Sequence, residues 1–158
     1  MLWIFNKTFP KLTYCPMLVP VIALKLLFLT EYETYVTCRK MLEESTEYLD
    51  EKKQYDSQKM RGLRWHFTFA QEDFYKSIDA FYTYIKGRKN WKKIEDHFKS
   101  INFDFAELFK EWFASLFLGF YPLKIVLQIF FAYLNEGIKI YYRYAYATLK
   151  TFKKQIFQ

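Results

Sequence analysis

At 158 residues the chain is long enough for one domain with a real core and too short for two comfortable ones. Hydrophobic residues make up 52% and aromatic residues 23%, with 18 Phe and 14 Tyr against only 4 Gly and 4 Pro, which argues against disorder and leaves too few turn formers for an all-β fold. The net charge of +7 favours an anionic partner, whether a membrane surface, a nucleic acid or an acidic protein face, without choosing among them.

The first residues, MLWIFNKTFPK, carry two lysines ahead of an apolar stretch and superficially copy a signal peptide. Pro16, Pro20 and Lys25 interrupt that stretch and no small-residue cleavage site follows, so it reads as part of the fold. From Met17 to Leu29 nearly every position is apolar, the pattern of a helix buried on most sides, with Pro20 tolerated in its first turn. A second helix is expected from Glu31, where two early glutamates suit a helix N-terminus, and the charged stretch 43–59 reads as a solvated helix end and connection.

Leu63, Trp65, Phe67 and Phe69 alternate like a strand, whereas Phe74, Ile78, Phe81 and Ile85 recur like a helix stopping at Gly87; the longer helical signal prevails. Trp91, Ile94 and Phe98 predict a short amphipathic helix ended by Asn102. The cleanest pattern is Phe105, Leu108, Phe109, Trp112, Phe113, Leu116 and Phe117, an unbroken amphipathic run. Gly119 and Tyr121-Pro122 break it, because a residue before proline avoids helical geometry. A further helix is predicted from Leu123 to Leu134, closed by Asn135-Glu136-Gly137, and a last one from Ile138 with Ile138, Tyr141, Tyr142, Ala145, Leu149, Phe152 and Ile156 on one side. The run 112–134 matches a bilayer in length and carries one charge, Lys124, which raises the alternative of a small integral membrane protein. Pro122 and a mid-run lysine weigh against a span.

The stretch AELFKEWFASLFLGFYPLKIVLQIFFAYLNEGIKIYYRYAYATLK resembles the end of TBC domains, the helical domains of Rab GTPase-activating proteins. The residues carrying the resemblance are Trp112, Leu116 and Phe117, then Tyr121-Pro122, then Ile129-Phe130-Phe131, then the Glu136-Gly137 turn with Lys139 and Arg143. TYCPMLVPVIALKLLFLTEYETY is similar to the TBC segment that begins Y-x-Q-G, and its Y-C-P form to the subgroup joined to a TLDc domain, the Skywalker-type proteins. The resemblance covers residues 12–154, with a weak middle at 45–102. It implies an all-α, orthogonal helical array forming a partial TBC-type domain over 12–158, preceded by a stub of residues 1–11.

By that resemblance Pro16 stands at the position of the catalytic glutamine, and Phe131 replaces an aspartate. The family's arginine finger lies upstream of Y-x-Q, where residues 1–13 hold no arginine. Such fingers are worth about a thousandfold or more in rate. The expectation is therefore a cytoplasmic module, peripheral to a membrane, that binds a small GTPase of the Rab or Arf class without catalysis and without a cofactor. The alternative is the C-terminal half of an active GTPase activator, since the chain would lack the N-terminal lobe.

A helical wheel puts Lys139, Arg143, Lys150 and Lys154 in one sector of the last helix, a stripe suited to phosphoinositide or other anionic headgroups. The resemblance to Skywalker-type domains implies a cationic phosphoinositide pocket containing Arg143. A basic solvated face is the plainer reading of the same residues. Lys59, Arg61 and Arg64 near Trp65, and Lys86, Arg88, Lys89, Lys92 and Lys93 near Trp91, interleave cations with aromatics, but no nucleic-acid motif frames them. Cys15 and Cys38 are expected as free thiols, and His66 and His97 have no metal-ligand spacing.

Overall fold

The computed structural model describes residues 1–10, 12–50, 71–88 and 91–156, and within these all side chains except those of 44–50, 73 and 153–156. Among the described residues eight helices follow one another: α1 (Leu2–Thr8), α2 (Leu18–Leu26), α3 (Glu31–Asp50), α4 (Gln71–Lys86), α5 (Trp91–Ser100), α6 (Phe105–Ser115), α7 (Leu123–Glu136) and α8 (Lys139–Ile156). Among the described residues there is no strand, and the fold is all-α as expected. The alternating segment 63–70 lies outside the described residues.

Local chemistry explains most of the boundaries. Thr30 and Glu33 form a reciprocal cap at the start of α3: the Glu33 amide donates to Thr30 Oγ1 at 3.3 Å, and Glu33 Oε2 accepts from the Thr30 amide at 2.8 Å. Asp104 caps α6 by accepting from the Ala106 amide at 2.8 Å. Asn102 ends α5 in a left-handed conformation, φ 57°, which an asparagine tolerates better than most residues. Gly137, φ 76°, turns α7 into α8 within two residues.

Two expectations need correction. The run through Leu116 and Phe117 is one buried surface but not one helix: both residues are fully buried, yet both adopt left-handed backbone, φ 57° and φ 60°. Their amides both bond to the carbonyl of Trp112, so the chain reverses while keeping both side chains in the core. On α8, Ile140 is buried at 5% exposure, whereas Phe152 is 43% exposed and lies off the buried face.

The core is aromatic. Phe81 of α4 meets Phe109 and Phe113 of α6 and Tyr142 of α8, with ring centroids 4.7, 5.3 and 5.2 Å apart. Tyr141 of α8 packs on Tyr133 of α7 and on Phe117. α2 buries Leu18, Val21, Ile22 and Leu24 but leaves Val19, Ala23 and Leu26 open along one strip. Phe5 of α1 and Phe9 join the same core, and Phe5 stacks on Tyr35 of α3 at 5.2 Å, so the residues expected as a stub contribute buried rings. The apolar run 112–134 is divided between α6, the left-handed turn and α7, and among the described residues no helix is long and apolar enough to cross a membrane.

Candidate binding surface

The segment around Pro16 is a turn. The Leu18 amide donates to the Cys15 carbonyl at 3.1 Å, which puts Pro16 at the second position of the turn, where its fixed φ is favourable. Tyr14 beside it sets its ring edge-on to Phe74 at 5.7 Å, and burial raises its pKa. Burial pushes the Cys15 thiol up to about 12 and also raises Cys38, so both sulfurs are held as thiols with poor nucleophilicity. Phe131, at the aspartate position of the resemblance, is 47% exposed and rests its ring against Phe28, 5.6 Å away.

The stripe on α8 divides into parts. Lys139 and Arg143 are exposed and both approach one carboxylate, Glu136 Oε2, at 3.9 and 2.8 Å. The wheel of α8 missed this neighbour because Glu136 belongs to the end of α7, and Gly137 turns it back toward the first turns of α8. The carboxylate also complements the positive end of α8's peptide dipoles. Lys150 is exposed two turns further on, and the Lys154 side chain lies outside the described residues.

A second set of groups comes together only in three dimensions. At the end of α4, the Arg88 guanidinium lies over the rings of Tyr84, 4.3 Å away, and of Tyr146 on α8, 5.6 Å away, and donates a hydrogen bond to the Tyr84 hydroxyl. Tyr84 packs between Tyr142 and Tyr146, at 6.5 and 6.4 Å. The Tyr142 hydroxyl donates to the Ser77 carbonyl at 2.9 Å, tying α8 to α4. Sequence reading had assigned Arg88 to a basic cluster around Trp91. That indole is instead buried between Tyr82 and Phe105 and cannot stack on a base. Lys86 of the cluster covers Tyr82 at 4.2 Å, Lys92 and Lys93 are exposed, and Lys89 lies outside the described residues, as do Lys59, Arg61, Arg64, Trp65 and His66.

A cleft of about 210 Å³ opens between α4, α5 and the start of α6. Its Tyr82 hydroxyl donates to Glu95 Oε1 at 2.8 Å, and Lys99 pairs with the same oxygen at 2.9 Å. Burial, then the bond to Glu95, pushes Tyr82 up to about 12, while Lys99 and then Tyr82 hold Glu95 below the usual carboxylate range. Both bonds fall on the one oxygen, Oε1, so Glu95 joins α4 to α5 through Tyr82 and pairs with Lys99 on its own helix. No group of three His, Cys, Asp or Glu residues among those described could hold a metal ion.

The described residues form an all-α array with cationic and aromatic groups on its surface and both cysteine thiols held protonated. Comparison with known proteins gives its family: residues 1–157 match the Rab-GTPase-TBC domain, and the chain belongs to that family, whose domains act on Rab GTPases. The chain is similar to the ecotropic viral integration site 5 protein of Mus musculus and to its homolog in Homo sapiens, 32% identical in each case over 62 residues. These matches cover 39% of this chain and 8% of each relative, so the chain spans a small part of their length. No solved structure matches.

Proposed function

We propose that this chain binds a small GTPase of the Rab or Arf class without accelerating its GTP hydrolysis. Family membership supports the partner class. The observation that carries the second half is Pro16, in a turn at the position where the resemblance to TBC domains expects a catalytic glutamine. A proline has neither a side-chain amide to align a water nor a backbone N–H to donate. Removing a group that orients the nucleophile or stabilises the transferred phosphoryl charge lowers the rate by orders of magnitude.

Single-turnover GTP hydrolysis across a panel of Rab and Arf proteins, alongside binding of the same GTP-loaded proteins to immobilised chain, tests this. Binding with an unchanged hydrolysis rate is expected; clear acceleration by the chain alone overturns the reading.

The exposed cations Lys139, Arg143 and Lys150 of α8 support a second contact, with a bilayer carrying phosphoinositides or other anionic lipids, and Lys154 follows them along the same helix in sequence. In this reading the chain is a peripheral module at cytoplasmic membranes. Co-sedimentation with vesicles containing phosphatidylinositol 4,5-bisphosphate should fall when Lys139→Gln and Arg143→Gln are combined, and an unchanged bound fraction refutes that contact.

A further inference from the structure

We propose that the crossing of α4 and α8 is a docking surface for an acidic segment of a partner protein, anchored by Arg88 and Lys150 beside Tyr84 and Tyr146. Arg88 is exposed, yet its guanidinium already lies 4.3 Å from the Tyr84 ring and 5.6 Å from the Tyr146 ring and is oriented by the Tyr84 hydroxyl. Most of the entropy of fixing this long side chain is therefore lost before any partner arrives. A guanidinium offers five N–H donors, and the Tyr84 hydroxyl occupies one of them. Among the described residues no carboxylate pairs with Arg88, in contrast to Arg143, which has Glu136.

Lys150 follows Tyr146 by four residues on α8 and so shares its face, as does Arg143 three residues before it. The junction thus presents two cations, Arg88 just past the end of α4 and Lys150 on α8, neither of them paired with a carboxylate among the described side chains, and Tyr84 beside them is 39% exposed.

The geometry favours a peptide over other anions. Cations borne on separate segments of the chain match carboxylates spaced along a peptide, whereas a single headgroup requires charges that converge on one point. The rings beside the cations give apolar area that side-chain stems of a peptide can cover and a hydrated headgroup leaves in water. The net charge of +7 adds long-range attraction for an acidic partner that weakens with salt.

The test is fluorescence anisotropy of a labelled octaglutamate peptide titrated with the full chain at low ionic strength, with octaglutamine as the uncharged control. Arg88→Gln and Lys150→Gln are each expected to weaken octaglutamate binding by about fivefold or more. Arg88→Lys should recover only part of the loss, since it keeps the charge and gives up the planar guanidinium. Lys99→Gln, away from the junction on α5, should bind as the parent does, and thermal melts of each variant establish that it is folded. Equal binding of both peptides, or octaglutamate affinity unmoved in folded Arg88→Gln and Lys150→Gln, overturns the proposal. Vesicle binding that depends on Arg88 while octaglutamate does not bind overturns it in favour of a lipid surface. Vesicle binding lost in the Lys139→Gln, Arg143→Gln pair but kept in Arg88→Gln separates the two contacts, which have only Lys150 in common, so either can fail alone.

Discussion

Lys25 should destabilise the domain in which it is buried. It lies in the middle of the apolar run of α2 and is only 7% exposed, and its ammonium donates to the Sδ of Met41 at 3.1 Å, a weak acceptor. No carboxylate among the described side chains forms an ion pair with it, and burial lowers its pKa from the ordinary 10.5, with Cys38 acting weakly the other way.

Lys25→Met keeps the unbranched stem and removes the charge. Replacing buried ionic groups with apolar ones of similar volume stabilises by about 1 to 4 kcal/mol, and a single ammonium, rather than a pair or triad of charges, belongs in the lower half, about 1 to 2 kcal/mol. For a domain of this size that is a rise in Tm of about 3 to 8 °C. The sign of the pH dependence follows from the lowered value: the unfolded chain holds this proton more tightly than the folded one. The parent therefore gains stability as pH rises from the lowered folded value to the unfolded one, and is penalised below it.

Cys15 and Cys38 have raised values and work in the opposite direction above their ordinary 9.0; Lys25→Met also removes the Lys25 charge that lowers Cys38, which raises that thiol further in the variant and shrinks the variant's advantage further as pH rises. The quantity to measure is accordingly the difference in urea-unfolding free energy, Lys25→Met minus parent, from pH 7 to pH 10.5. It should be positive at pH 7 and shrink toward the alkaline end. A variant less stable than the parent at pH 7, or a difference that grows with pH, would refute the reasoning.

Two further perturbations probe the backbone and the core. Gly119→Ala puts a Cβ on a residue at φ 87° with no atom within 4 Å of it, so the change isolates backbone strain, about 1 kcal/mol lost in urea unfolding; unchanged stability would show that the turn relaxes. Phe81→Ala removes a fully buried ring shared by α4, α6 and α8, and should cost about 3 to 5 kcal/mol by the same assay. A loss below about 1 kcal/mol would mean that the neighbouring rings close the cavity.

The elements were legible because their signals are local. Helical period located α4 to α8, and Gly87, Asn102, Pro122 and Gly137 punctuated them through backbone geometry that each residue imposes by itself. Where the reading slipped, side-chain burial and backbone conformation had parted: Leu116 and Phe117 keep the apolar period of α6 while their backbone turns left-handed. Periodicity reports which side chains are buried, not which hydrogen bonds carry them there.

The candidate surface was half legible. Its cations Lys139, Arg143 and Lys150 share a face of one helix, a relation fixed by the pitch of that helix. Their surroundings were not, because charge acts through space rather than along the chain. Glu136 reaches Lys139 and Arg143 across a turn, and Arg88 meets Tyr146 from 58 residues away. The burial of Lys25 belongs to the same category: the sequence shows a lysine in an apolar run, and only the packing of α2 against α3 leaves it dry. The sequence by itself determined an all-α chain of amphipathic and buried helices with a basic last helix. The tertiary structure alone decided which of its charges are paired, buried or available, since that depends on contacts between helices that no local pattern encodes.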